Sequence, residues 1–208
     1  VNFAGLNMTR VILILVLPFV IWASTDSLKK NSGINLEEVS DFYKSIDQLE
    51  VGFHQEIKLK DMKSPIKLVG ILKVSQPNQI RWEILKPSHL LVNLNEKEII
   101  VENGEGESKT VQVFKRGDMT LNKENKALES MVGWIKMDLN ALKKDYGVTQ
   151  FAVNEFLFVP YSKESSFFQK LKMKVTKNKN IEKITLFEKS GDLIEITFGK
   201  PKIKIKND

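Results

Sequence analysis

A chain of 208 residues, 42% of them hydrophobic, suits one globular domain with a sizeable core. It contains no cysteine, which excludes a thiolate nucleophile, a disulfide framework and a Cys-ligated metal site. The formal charge of +6, from 32 Lys+Arg against 26 Asp+Glu, is compatible with an anionic membrane, an acidic partner or nucleic acid, but reads first as lysines solvating the outer faces of strands.

Residues 1–25 read as a secretory signal. Arg10 precedes an apolar run of 12 residues, Val11–Trp22, and the small residues Ala23, Ser24 and Thr25 follow. The run is shorter than the roughly 20 residues a spanning helix needs. Cleavage is expected near Ala23. An uncleaved anchor stays open as the alternative, because Ile21 is bulky for its place two residues before Ala23. Residues 26–34 are polar, without periodicity, and read as a flexible leader to a single domain over 35–206.

That domain opens with NLEEVSDFYKSIDQLE. Asn35 is placed as an N-cap with Glu38 three residues on, as in a capping box, and Leu36, Val39, Phe42 or Tyr43, Ile46 and Leu49 recur at helical spacing. One amphipathic helix over about 35–49 is predicted. From Val51 to Lys60 the pattern alternates, with Val51, Phe53, Gln55, Ile57 and Leu59 on one face. Residues 66–101 then read as four short strands. Ile66, Leu68, Gly70, Leu72 and Val74 share a face. Gln76-Pro77-Asn78-Gln79 breaks the run, and Ile80, Trp82 and Ile84 resume the apolar face. Pro87-Ser88 turns the chain into Leu90, Val92 and Leu94, and Asn95-Glu96-Lys97 turns it again. Asn103–Ser108 (NGEGES) is expected to be a hairpin turn into Lys109–Lys115. No Lys-Ser/Thr follows its G-x-G, and its glutamates would repel phosphate.

Residues 116–150 break the β pattern, and one or two short helices are expected within 125–146, with Gly147 ending the second as a C′ glycine. Strands return at Phe151–Val153, Phe156–Val159, Phe167–Lys177, Ile181–Glu188 and Leu193–Phe198, with Lys202–Lys206 as a last edge strand. The sum is about eleven or twelve strands in a meander that must curl, since long twisted sheets do not stay flat. One face becomes concave, and either the barrel closes or the helices plug it.

Little in the chain suggests catalysis. Only His54 and His89 are present, His54 on the strand face opposite Phe53 and His89 beside a turn. No nucleophile elbow, zinc-binding helix or phosphate loop occurs. An enzyme is not expected, and no catalytic residue, metal ligand or cofactor is assigned. Arginines are too few, and aromatics too mixed with aliphatics, for a nucleic-acid surface. There remain an apolar concave face and an insertion in which Met131, Trp134 and Met137 stand three apart. These residues either close a permanent core or form a lid over an acyl-binding cavity.

The stretch Gly70-Ile71-Leu72-Lys73-Val74-Ser75-Gln76-Pro77-Asn78-Gln79-Ile80-Arg81-Trp82, with Pro87 beyond it and Gly52-Phe53-His54-Gln55 before it, resembles the periplasmic outer-membrane lipoprotein carrier family (LolA-type). The resemblance implies an unclosed barrel, or half-barrel, of eleven strands with a helical lid over a hydrophobic cavity. It implies a carrier that accepts lipidated proteins from an inner-membrane lipoprotein-releasing ABC transporter and passes them to an outer-membrane receptor. The acyl chains would be shielded on the way across the periplasm. A monomer is expected. The candidate cavity residues are Phe53, Leu72, Val74, Ile80, Trp82, Leu90, Val92 and Met173 on the sheet, with Met131 and Trp134 on the insertion. Gln76 stands where the family has Arg or Lys, and its amide is expected to meet backbone carbonyls of the lid. Asn95-Glu96 and Ile100 replace the family's Asp-Gly turn and following aromatic. A carrier of another lipid, an anchored lipid- or lipoprotein-binding sensor, and a solid-cored structural domain are the competing readings.

Overall fold

The computed structural model describes residues 33–77, 79–115, 133–162, 166 and 168–206. The signal read in residues 1–25, most of the leader, and Met131 lie outside these. Helix α1 (Leu36–Ser45) starts where its cap requires: the Asn35 side chain accepts the Glu38 N–H at 2.8 Å, and Glu37 and Glu38 sit in the first turn. Ahead of it, the Ile34 N–H donates to Asn154 Oδ1 at 3.1 Å and its carbonyl accepts from Gln150 Nε2 at 3.3 Å. The end of the leader is therefore tied to a distant hairpin.

The helix stops four residues earlier than its periodicity predicts. Ile46 and Leu49 belong to strand β1 (Ile46–Lys58), not to α1. The register of β1 shifts between Ile46 and Gln48, so one extra residue lets Ile46 and Leu49 face the same side three positions apart. A bulge thus imitates helical spacing.

The sheet continues through β2 (Ile66–Ser75), β3 (Gln79–Lys86), β4 (Leu90–Leu94), β5 (Glu98–Asn103) and β6 (Thr110–Lys115). Beyond the insertion come β7 (Tyr146–Ala152), β8 (Glu155–Pro160), β9 (Phe168–Val175), β10 (Ile181–Glu188), β11 (Leu193–Phe198) and β12 (Lys202–Ile205). All pairings are antiparallel, in the order β6-β5-β4-β3-β2-β1-β11-β10-β9-β8-β7. Among the described residues β6 and β7 do not pair, so this eleven-strand path is unclosed. Strand β1 is long enough to serve two neighbours along one edge. Phe53–Lys58 faces β11, and Ile46–Glu50 faces β12, which leaves the main path.

The predicted meander over residues 66–101 is present with its inward face as read: Leu72 pairs with Trp82, Val74 with Ile80, and Trp82 with Val92. At Gly70 the inward position must be empty. A Cβ there would lie 2.3 Å from the Glu83 carbonyl oxygen and 2.4 Å from Phe53 Cζ, so the Phe53 ring rests directly on the β2 backbone. The turn at Asn103–Ser108 carries Gly104 and Gly106 at φ 83° and 58°, the region glycine enters without strain.

The insertion contributes a helical turn at 133–136 and helix α2 (Leu139–Asp145), capped by Asp138. Gly147 is not a C′ glycine. It is the second residue of β7, and α2 gives way directly to strand at Tyr146, whose backbone is extended. Pairing with β8, in which Gly147 faces Val159, overrides the local stop signal. The insertion is fastened to α1 by Ser40 Oγ donating to the Met137 carbonyl at 2.8 Å and by Lys143 against Glu37 at 2.6 Å. The Lys143 bond holds the Glu37 carboxyl below its ordinary range. Together α1, the insertion and the inward strand faces form one continuous core.

Candidate acyl-binding cavity

A cavity of about 90 Å³ lies within this core, between the curled sheet, α1 and the insertion. Its walls come from Leu49 and Val51 of β1, Leu72 of β2, Trp82 of β3, Leu171 of β9, and the inward residues of β10 and β11. Tyr43 of α1 and Trp134 and Ile135 of the insertion complete it. β3 and β9 have four strands between them in the sheet order, so their meeting at one cavity is a direct consequence of curling.

Strand β10 marks the accessible side. Its inward residues Ile184 and Leu186 face Met173 and Leu171 of β9, both 1% exposed, yet are themselves only half-buried. Apolar side chains on an inward face with partial exposure border a void rather than fill a core.

Two aromatic groups shape the walls. Trp134 packs against Phe158, Tyr146 and Phe168 with ring centroids at 4.4, 5.1 and 6.0 Å, so β7, β8 and β9 clasp the insertion's largest side chain. Phe53 lies 4.4 Å from Trp82 and backs it from behind the cavity.

Of the residues predicted for the cavity, Leu72, Trp82 and Trp134 line it. Phe53, Val74, Ile80, Leu90, Val92 and Met173 face the same interior but are packed into the core beside it, each at most 5% exposed. Gln76 is half-buried at the β2–β3 turn, where its N–H donates to the Asp47 carbonyl at 2.9 Å. The bond that joins this turn to the insertion runs the other way: Lys136 Nζ donates to the Pro77 carbonyl oxygen. Among the lining residues that sequence reasoning overlooked are Tyr43, Leu171, Asn180 and the residues of β10 and β11. The alternation of Ile184 with Leu186 and of Ile194 with Ile196 gave their face, but nothing local marks which inward residues adjoin a void.

The cavity's chemistry is almost wholly apolar. No Asp, Glu, Lys, Arg or His lines it among the described residues. Among the described residues Tyr43 is the one titratable group that lines it. Burial pushes the phenol up to about 12, although the N–H of Ile181, donating to it at 3.2 Å, works in the opposite direction. His89 sits elsewhere, on the outward Glu83. Partial burial raises the Glu83 carboxyl, but bonds from His89 at 3.0 Å and from Arg81 outweigh it and leave it below its ordinary range. No cluster of potential metal ligands occurs among the described residues.

The family description "Outer membrane lipoprotein carrier protein LolA" matches residues 44–208. An outer-membrane lipoprotein carrier protein of Dechloromonas aromatica is 23% identical over 169 residues, covering 79% of this chain and 76% of that protein. Among solved structures, a LolA superfamily protein of Nitrosomonas europaea is 9% identical, with 84% of this chain and 96% of that one covered and a TM-score of 0.40. A putative outer membrane lipoprotein-sorting protein domain of Vibrio parahaemolyticus is 10% identical, with 84% and 95% covered and a TM-score of 0.39. These structural likenesses are distant, and the assignment rests on the sequence match: the chain belongs to the LolA family of outer membrane lipoprotein carrier proteins.

Proposed function

We propose that this protein carries lipoproteins across the periplasm from the inner to the outer membrane, its cavity shielding their acyl chains from water. The family is a periplasmic, non-enzymatic transport family that binds lipoproteins. Cargo would come from an inner-membrane lipoprotein-releasing ABC transporter and pass to an outer-membrane receptor. The signal in residues 1–25 would be removed on export.

The observation that carries this reading is a cavity with no Asp, Glu, Lys, Arg or His among its described lining residues, bordered on one side by the helical insertion. At about 90 Å³ it is smaller than the roughly 150 Å³ that houses one benzene. An acyl chain therefore needs more room than this, and the wall formed by Trp134 and Ile135 of the insertion is the one we propose to yield. Each methylene then buried contributes about 0.8 kcal/mol, so several methylenes offset the aromatic packing that Trp134 gives up when it swings out. Handover needs only a receptor cavity that hosts the chains better.

The test is release of a lipidated cargo from inner-membrane vesicles by the purified mature protein. A soluble one-to-one complex with lipidated, but not unlipidated, cargo is expected. Cargo that stays on the vesicles at saturating protein would refute the carrier role.

A further inference from the structure

We propose that the outward face of β7–β10 is a docking surface for an anionic phospholipid bilayer. This goes beyond the acyl-carrier reading and uses the side of the sheet away from the cavity. On β8 and β9 the inward positions are the buried Phe156, Phe158, Leu171 and Met173. Leu157, Val159, Lys170, Lys172 and Lys174 alternate with them and point outward. On β10, Thr185 and Phe187 stand opposite Lys172 and Lys170 and share that side.

Two of these lysines lack a carboxylate. Lys174 pairs with Glu182 at 2.8 Å, and further along the face Lys183 and Lys58 both pair with Glu195, at 2.6 and 2.7 Å. On β2, likewise, Lys73 meets Glu50 and Lys67 meets Glu56. Among the described residues Lys170 and Lys172 form no ion pair, and aromatic rings hold them instead. Lys170 Nζ lies 4.6 Å from the centroid of Phe187, and Lys172 Nζ lies 5.2 Å from that of Phe151 and 5.7 Å from that of Phe187. Both cations are thus positioned without being neutralised, which calls for an anionic partner.

Beside them the surface is apolar: Val159 is 44% exposed and Tyr161 68%. Tyr161 is held in place. Its N–H donates to the Asp145 carbonyl at 2.9 Å, and its ring lies against Gly147, where a Cβ would come within 3.4 Å of Cε1. Tyrosine beside lysines with apolar stems suits the headgroup layer, where rings rest among the chains' upper carbons and ammonium groups meet phosphates. The choice of cation favours a bilayer over an acidic protein. An ammonium is a point charge that suits mobile phosphates, whereas fixed carboxylates are matched two bonds at a time by arginine, and no described arginine lies on this face. The face is also the outer side of a curled sheet, shaped to touch a plane rather than to enclose a peptide.

Sedimentation of the mature protein with vesicles of mixed phosphatidylglycerol and phosphatidylcholine, and with vesicles of phosphatidylcholine alone, tests this. Binding to the anionic vesicles is expected, and little to the neutral ones. Lys170→Gln combined with Lys172→Gln keeps part of each stem and should weaken binding about thirtyfold, the equivalent of about 1 kcal/mol for each cation near a charged bilayer. Lys67→Gln combined with Lys73→Gln removes the same charge from β2 and should leave most of the binding intact. Tyr161→Trp should gain emission that moves to shorter wavelength on anionic vesicles. Ile184→Glu, at the cavity edge, should dock as the wild type does, so that loss of docking and loss of acyl uptake are separable. Equal losses from the two lysine pairs, or no spectral shift in the Tyr161→Trp variant, would overturn the proposal. So would protein that stays in solution with anionic vesicles, and its capture by polyglutamate through Lys170 and Lys172 would then assign the face to an acidic protein.

Discussion

The Lys136 bond to the Pro77 carbonyl predicts how residue 76 acts. The resemblance implies a cation at position 76 that reaches the lid; here residue 76 is a neutral Gln, and a cation on the insertion, Lys136, reaches the turn instead. Lys136→Met removes the donor while keeping the apolar stem. For an exposed charge-assisted bond the loss is about 0.5–1 kcal/mol once solvent screening is allowed for, a two- to fivefold rise in the open population. Gln76→Arg alone places a second cation one residue from Pro77, where it competes with Lys136 for the same carbonyl. It should give no gain in melting temperature and faster uptake of a fluorescent lipopeptide. Combining Gln76→Arg with Lys136→Met restores a single cation and should slow uptake again, a coupling of about 1 kcal/mol in a double-mutant cycle. Strict additivity of the two changes would refute the exchange of donors and place residue 76 outside the closure.

Three further outcomes follow from the geometry. Gly70→Ala drives a methyl into the Glu83 carbonyl and the Phe53 ring, so urea melts should show a loss of about 3 kcal/mol or more, at or beyond the upper end of ordinary overpacking. Ile184→Glu, at the half-buried edge of the cavity, should fold and lose acyl binding, whereas Ile80→Glu, 3% exposed in the packed core, should lose its cooperative melt. Bonds from Lys183 and Lys58 hold the Glu195 carboxyl below its ordinary range. Its contribution to stability is therefore complete above the unfolded-state value near 4.5 and is lost as pH falls through the lower folded-state value. Glu195→Gln should flatten the acid limb of a stability–pH profile and leave its slope above pH 6 unchanged.

The N-terminal half of the sheet was legible because strict alternation there is broken by residues with definite turn chemistry. Pro77, Pro87 and Asn95 mark the ends of β2, β3 and β4, and a face read from Leu72 and Val74 predicts the partners of Trp82. The boundary between α1 and β1 was hidden because a bulge gave Ile46 and Leu49 helical spacing, and only pairing with β12 separates the alternatives. Gly147 misled for a related reason: its freedom suits a helix end, but the ladder with β8 uses it as a strand residue. The concave face was readable and the cavity within it was not. Val74 and Leu72 have the same local pattern, yet one is packed over and the other borders space, because what covers each comes from elements far away in sequence. Asn180, in the turn before β10, gives no sequence sign that its oxygen lies buried beside that space.

The carrier role is tested most directly by native mass spectrometry of the mature protein purified from its own periplasm. A protein beginning just after Ala23, carrying one acylated molecule that is displaced when an outer-membrane receptor is added, is the expected result. A ligand-free protein, or one still joined to residues 1–23 and recovered only with the membrane, would contradict it.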